Sequence, residues 1–431
     1  MSIRLAPMAA LAVMRAVAAD DIRLATVDPG HFHAALLQKE MLPGISRRVH
    51  VYAPLGPDLT AHLNRVARYN LRQQNQTNWE MEVHAAPDFF ERMLAERPGN
   101  VVVFSGRNRG KIERIGRSVE AGLHVLADKP WIIVAADLPR LEAALNTADN
   151  KGVVAWDAMT QRFEITCVLQ RELVNDAAIF GERLQGSPDQ PTVYMESVHY
   201  LFKMVSGTPN LRPAWFFDIR EQGEGLTDVG THLVDLVQWI LFPDQAIDHR
   251  TEIRMLQGRR WPTPLSEAQL RQVTGEPGGA RLDYYCNNSV AYTLRGVHVK
   301  LDIKWDFEAA PGTSDTELAI FRGSRASIEV RQGREENYRP EVYVVPVRVE
   351  DKAAILAAVR RRGLDAEDLG ARLRLVIPDR HRVGHEAHFA MLVEKFLGYV
   401  RNPKSLPRWE KPNMLAKYFV TTMGVKLGRG E

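Results

Sequence analysis

Between residues 22 and 156, short apolar runs alternate with stretches of helical period, and this rhythm restricts the possible folds more than any other feature of the chain. Residues 22–28 (Ile-Arg-Leu-Ala-Thr-Val-Asp) read as a buried strand, and residues 29–40 as the helix that follows. Further strands are expected at 49–53, 100–105, 123–127 and 152–156. Helices are expected at 88–96, 111–121 and 138–150, with Gly122 as a stop signal. Strand-helix alternation of this kind specifies a parallel sheet covered by helices, which takes ligands at the carboxyl ends of its strands.

Past residue 160 the rhythm changes. A helix at 165–175 leads to a strand at 192–199, then a loop rich in Pro and Gly, then a helix from about 225. Alternating segments follow at 289–294, 297–307, 316–321 and 326–330, separated by turn signals such as Arg322-Gly323-Ser324, and predict a largely antiparallel sheet. The stretches 245–283 and 340–384 read as insertions or long loops, and helices at 385–400 and 412–427 close the chain. The expected fold class is α/β, with a doubly wound, Rossmann-type parallel-sheet domain at 21–158 as the candidate dinucleotide-binding unit and an α+β domain at 159–431, with an open, largely antiparallel sheet, as the candidate substrate-binding one.

Composition narrows the function classes. With 45% hydrophobic and 25% charged residues over 431 positions, the chain is an ordinary globular one, long enough for two substantial domains. Its 56 Lys and Arg nearly balance 53 Asp and Glu, giving a formal charge of +3, so no nucleic-acid or membrane partner is expected. Cys167 and Cys286 are too few for a disulfide framework or a Cys-based zinc site. Residues 1–20 read as an N-terminal extension. They imitate a secretion signal loosely, with Arg15 interrupting the pattern, so a cytoplasmic protein is expected and export is the alternative.

Two stretches could carry chemistry. In residues 225–239, Leu233, Leu236, Val237 and Ile240 form an apolar stripe at helical spacing, while Asp228, His232, Asp235 and Trp239 share another face. An imidazole titrating near neutrality beside a carboxylate that orients it suits proton transfer; a satisfied histidine on a packed helix is the plainer reading. The other stretch is the first turn, Asp28-Pro-Gly30-His31-Phe32-His33, where a dinucleotide pyrophosphate would meet backbone N–H groups. Of the usual three glycines only the middle one is present, at Gly30. Asp28 and Pro29 also read as an N-cap and first-turn pair. The second strand ends without the acid that normally holds a ribose hydroxyl, and Asp58 is the nearest replacement. His385, Glu386 and His388 fall one residue short of the His-Glu-x-x-His zinc pattern, so helix capping or a cleft rim is expected there and no metal ligand is assigned.

Taken in order, the turn with Gly30, Ser105-Gly-Arg-Asn108 after a strand, Asp128-Lys129-Pro130, Met159-Thr-Gln-Arg162 and Asp228-x-Gly-x-His232-x-x-Asp235 resemble the Gfo/Idh/MocA oxidoreductase family. The resemblance spans about residues 22–330. It extends to a subgroup with an unusual C-terminal region, through Gly384-His-Glu-Ala-His-Phe389. It implies an NAD- or NADP-dependent enzyme that oxidises a secondary hydroxyl of a sugar, glycoside or cyclitol. It implies Lys129, Asp228 and His232 as the catalytic group, and Asp28, Gly30, His31, Phe32, His33, Ser105, Asn108, Lys129 and Arg162 as cofactor contacts. His199, Arg212 and Trp215 join the catalytic three as substrate contacts, and a homo-oligomer is expected. In residue chemistry, His232 serves as base and Lys129 steadies the developing oxyanion, while the hydride needs a nicotinamide because no side chain accepts one. Two alternatives stay open: glycoside cleavage assisted by transient oxidation with retained NAD, and a sugar-binding scaffold without turnover.

Overall fold

The computed structural model describes residues 21–205, 208–277 and 280–431; the extension at 1–20 lies outside them, and with it the question of export. Six strands, β1 (Leu24–Val27), β2 (Arg48–Ala53), β3 (Glu80–Ala85), β4 (Val101–Phe104), β5 (His124–Ala127) and β6 (Ala155–Asp157), form a parallel sheet in the order β3-β2-β1-β4-β5-β6. Every residue of β1 and β4 is buried, as continuous apolar strands covered on both faces must be. Because the chain leaves β1 in one direction and resumes at β4 in the other, the loops after these two strands diverge and open a crevice at their carboxyl ends.

One expected helix is mostly absent. Only His33–Leu36 is helical where 29–40 was predicted. Asp28 does not cap it: its backbone adopts φ 49° and its carboxylate accepts from Arg114 Nη1 at 3.0 Å. The Gly30 N–H donates to the Asp28 carbonyl at 2.9 Å and the His31 N–H to the Ser105 carbonyl at 2.6 Å, so two donors that would open a helix close a tight turn instead. The sequence reading also passed over the helix Pro57–Leu71 and strand β3, an edge strand whose only buried residue is His84 and which therefore shows no apolar run.

The second sheet has nine strands. β7 (Val193–Phe202) is followed by a small hairpin, β8 (Met204–Val205) with β9 (Thr208–Pro209). Then come β10 (Ile253–Leu265), β11 (Leu282–Leu294), β12 (Val297–Glu308), β13 (Thr316–Arg322), β14 (Ala326–Gln332), β15 (Glu341–Pro346), β16 (Ala366–Asp368) and β17 (Leu373–Leu375). The order is β10-β11-β12-β7-β13-β14-β15-β17-β16, antiparallel throughout except where β12 runs parallel to β7. In β12, Val297, Val299, Leu301, Ile303 and Trp305 point inward, the period-2 signature of a sheet with one packed face.

The two stretches read as insertions are corrected here, because both supply strands to this sheet. Residues 245–283 hold β10 and the helix Glu267–Thr274, and residues 340–384 hold β15, the helix Lys352–Arg361, β16 and β17. β10 hid from a periodicity reading because register shifts at Met255/Gln257 and Trp261/Thr263 break its alternation.

The last helix, Glu410–Gly428, ties the halves together. Met414, Leu415 and Tyr418 pack in the core around the parallel sheet, while Ala416, Val420 and Val425 pack in the core around the nine-stranded one. Lys417, between them, is 0% exposed; its Nζ lies 2.8 Å from Asp157 at the end of β6 and 3.0 Å from Asp235 in the helix Gly230–Leu241. Arg162 completes the network with two 2.6 Å bonds to Asp235 and bonds of 2.9 and 3.0 Å to Glu410. Burial alone would raise the Asp235 pKa, but Arg162 and Lys417 overrule it and hold that carboxyl far below the usual range.

Replacing Lys417 with Met leaves the buried Asp157 carboxylate without its ammonium partner, and a loss of about 3–5 kcal/mol is expected in chemical denaturation at neutral pH. The folded-state pKa of Asp235 is depressed, so its contribution is present above the unfolded value of about 3.9 and is lost as pH falls below it. Asp235→Asn should accordingly lose stability at neutral pH and show a flatter acid limb than the parent.

Candidate active site

The crevice brings a lysine from the first half to an acid and an imidazole from the second. Lys129 follows β5; its ammonium donates to the carboxylate of Asp228 and, at 3.3 Å, to the Asp228 backbone carbonyl, with both side chains only 12–13% exposed. Asp228 ends a four-residue helix, Gly225–Asp228, and His232 lies in the first turn of the next, Gly230–Leu241. The sequence reading had Asp228 orienting His232, and the structure corrects this: Asp228 is engaged by Lys129, and the buried Nδ1 of His232 has no hydrogen-bond partner among the described residues. Burial, then the nearby Lys129 charge, push the His232 pKa well below its ordinary 6.5, so the imidazole is neutral and free to accept a proton. Burial works against ionisation of Asp228, but Lys129 outweighs it and keeps the acid charged.

The turn after β1 forms the floor. A Cβ placed on Gly106, beyond β4, would drive into the Asp28 backbone carbonyl; one placed on Gly30 would come within 2.9 Å of Trp215 Cζ2, 3.2 Å of Asp58 Oδ2 and 3.3 Å of Gly106 Cα. Both positions therefore need glycine, and Gly30 needs it because Trp215 lies against it. The Trp215 indole donates to Asp58 at 2.9 Å, and the Arg107 guanidinium stacks on its ring at 5.4 Å. Trp215, expected as a substrate contact, packs over Gly30 in the turn after β1. Asp58 starts the helix after β2, and burial raises its pKa. Asp28 is held by Arg114, with Arg107 at 3.9 Å. Ser105 accepts the His31 N–H through its carbonyl and donates its hydroxyl to the His31 carbonyl at 3.2 Å. Phe32 is 37% exposed at the rim. His31 and His33 flank Asp128, with Nδ1 atoms 2.8 and 3.0 Å from its oxygens.

Two expected cofactor contacts are committed elsewhere. Arg162 spends its guanidinium on Asp235 and Glu410, at the back of the cleft. Asn108 is 4% exposed; its amide donates to the Gln222 carbonyl at 2.7 Å and its oxygen accepts from Lys111 Nζ at 2.5 Å. Both act as braces between segments, and neither side chain is free for a ligand in this arrangement. On the substrate side, His199 lies 2.7 Å from Ser197 Oγ and 3.1 Å from Asp315, and packs on Trp305. Arg212 stacks on Phe216 at 4.4 Å and Trp305 at 5.3 Å, and its buried Nε has no partner among the described residues.

The sequence reading missed Arg107, Lys111, Asp315 and the contact of His385 with His33, whose Nε2 atoms are 2.8 Å apart. Residues 352 positions apart leave no local signal; only the run of charged and aromatic residues after each strand could have pointed to Arg107.

This arrangement places Lys129, Asp228 and His232 at the switch point of a Rossmann-type parallel sheet. Residues 169–429 match the family model described as "Putative oxidoreductase C terminal domain". A solved structure from Parabacteroides merdae ATCC 43184, described as a "putative oxidoreductase", is 41% identical over 96% of this chain and 98% of that one, with a TM-score of 0.93. The chain belongs to this family of oxidoreductases. More distant structures share the fold. Levoglucosan dehydrogenase in complex with NADH and levoglucosan is 15% identical over 94% of this chain and 97% of that one, with a TM-score of 0.60. KijD10, a 3-ketoreductase from Actinomadura kijaniata in complex with NADP and TDP-benzene, is 15% identical over 95% and 97%, with a TM-score of 0.59. No curated protein matches the chain. No helix among the described residues is long and apolar enough to cross a membrane.

Gly106→Ala should cost more stability than Gly30→Ala, since the first drives a Cβ into a backbone carbonyl and the second meets chiefly the Trp215 and Asp58 side chains. About 1–3 kcal/mol is expected for Gly30→Ala in denaturation, with a shift in Trp fluorescence as Trp215 moves. Equal losses, or unchanged fluorescence, would refute the packing described.

Proposed function

We propose that the protein is an NAD- or NADP-dependent oxidoreductase acting on a secondary hydroxyl of a sugar, glycoside or cyclitol. The observation that carries this reading is the Lys129–Asp228 ion pair across the crevice, with the neutral His232, whose Nδ1 has no hydrogen-bond partner among the described residues, one turn beyond. A dinucleotide suits the residues present. The strand order leaves its crevice at β1 and β4, Gly106 tolerates no side chain, and Arg107 and Arg114 supply positive charge beside a turn whose helix is too short to contribute much dipole. A bound nicotinamide would supply the hydride acceptor. His232 takes the hydroxyl proton through its neutral imidazole, so a C–OH carbon becomes a carbonyl as hydride and proton leave separately. Lys129 donates to the oxygen as negative charge builds there, and Asp228 holds the ammonium in place. Arg212, stacked and with a free donor, binds substrate oxygens.

One feature favours the redox-assisted cleavage variant of this reading, in which the dinucleotide is retained. Trp215 bonded to Asp58, and the Asn108 and Arg109 N–H groups donating to the Glu221 carbonyl at 2.9 and 3.2 Å, bridge the groove that a dinucleotide would enter or leave.

Titration with NAD and NADP, followed by a sugar panel with nicotinamide absorbance as readout, tests the class. Net reduction supports a dehydrogenase, and tight binding with product but no net reduction supports cleavage. Binding of neither cofactor sinks both. His232→Ala is expected to lower kcat by about 100-fold or more with cofactor affinity retained; unchanged turnover removes the proposed base.

The groups whose charges act on His232 are Lys129, Asp235, His385 and Asp128, with Lys129 the strongest after burial itself. The acid limb of kcat/KM should therefore lie below pH 6.5, because a base with a depressed pKa stays unprotonated further into acid. In Lys129→Met, NMR titration of the His232 ring should move back toward 6.5.

A further inference from the structure

Beside the crevice, the side chains of His31, His33 and Asp128 converge so that one ligating atom from each lies within 4.8 Å of the others. They come from two elements: the turn after β1 and the segment after β5. Asp128 Oδ2 is 2.8 Å from His31 Nδ1 and Oδ1 is 3.0 Å from His33 Nδ1. Those distances suit hydrogen bonds, yet the directions do not: both Nδ1 atoms and Oδ1 are buried without a hydrogen-bond partner among the described residues. His33 and Asp128 are 5% and 7% exposed, so water does not meet the unpaired atoms. Two ring nitrogens and a carboxylate oxygen, buried and turned toward one another without a hydrogen bond in so small a space, are costly unless something else joins them.

We propose that His31, His33 and Asp128 form a binding site for a divalent first-row transition-metal ion of the zinc type. Two imidazoles and one carboxylate select such ions over magnesium or calcium, which prefer all-oxygen shells. Three protein ligands leave a coordination position open, the arrangement of reactive rather than structural sites. His31 is 39% exposed, so the open position is reached from the cleft. The other ring nitrogen of His33 meets His385 Nε2 at 2.8 Å, and a proton held between them leaves the His33 Nδ1 lone pair for the ion. His385 is thereby a positioning residue, set at the start of the helix His385–Arg401. The neighbouring cations do not oppose the ion directly: Lys129 is paired with Asp228, and Lys111 approaches Asp128 only through its backbone carbonyl, at 3.0 Å. Since Lys129 follows Asp128 in the chain, ion and ammonium border the same cleft, and the ligand the ion would hold is a hydroxyl or carbonyl oxygen.

This differs from the sequence expectation of no metal ligand, which weighed the two cysteines and the short-range His385-Glu-x-His388 spacing. Glu386 there pairs with Lys39, and His388 Nε2 lies 3.4 Å from Glu164. A second convergence, His50, Glu82 and His84, sits on β2 and β3 with Glu82 49% exposed, and serves as the control.

The test is titration of the chelator-stripped full chain with Co2+, read by its visible d–d absorption, with Zn2+ as competitor. One Co2+ per chain, displaced by Zn2+, is expected. His33→Ala and the isosteric Asp128→Asn should each weaken binding by more than about 100-fold, His385→Phe by about 10-fold, and His84→Ala not at all. Absence of a cobalt spectrum in the parent chain, or undiminished binding in a folded Asp128→Asn, overturns the site; loss in His84→Ala alone reassigns the ion and overturns it equally. Nicotinamide binding, measured separately on the stripped chain, keeps this outcome distinct from failure of the oxidoreductase reading.

Discussion

The position of every reactive group depends on a set of charges shut away from water behind the cleft. Arg162 and Lys417 face Asp157, Asp235 and Glu410, and none of the five side chains is more than 9% exposed. Removing such groups from water is expensive, and only mutual pairing makes it tolerable, so the arrangement has little freedom to relax. Asp157 ends β6 and Asp235 lies one turn beyond His232, so the network fixes the helix that carries His232 against the first half's sheet. The Lys129–Asp228 pair can then form across the cleft without either half adjusting.

The parallel sheet was legible in the sequence because its strands are buried on both faces and so keep continuous apolar runs. β3 escaped because an edge strand carries little such signal, and β10 because two register shifts erase its alternation. The helix after β1 shows the opposite error. Asp28-Pro29 has the chemistry of a helix start, but Arg114, from the far side of β4, claims the carboxylate. Local propensity lost to a tertiary ion pair that no local pattern could announce.

The site divides the same way. Lys129, Asp228 and His232 could be read as an ordered set, and the structure brings the three together at one crevice. Their mutual roles could not be read: i,i+4 spacing predicted an Asp–His pair, whereas the Asp228 carboxylate is taken by Lys129, which lies 99 positions away in the chain. The family resemblance implied Arg162 and Asn108 as cofactor contacts, and burial in polar networks commits them to structure instead. Trp215 over Gly30 and His385 against His33 join segments far apart in the chain, visible only once folded.

The helix Glu410–Gly428 belongs to both cores at once, and this bears on how the molecule is made. A nascent chain can pair β1 to β6 long before residue 410 is synthesised, but that sheet then lacks Leu415 and Tyr418, and Asp157 lacks its lysine. Neither half has a finished interior until that one segment arrives, so completion is a single late event shared by both. Such a chain would be exposed to chaperones and proteases for most of its synthesis, and then be sealed in one step.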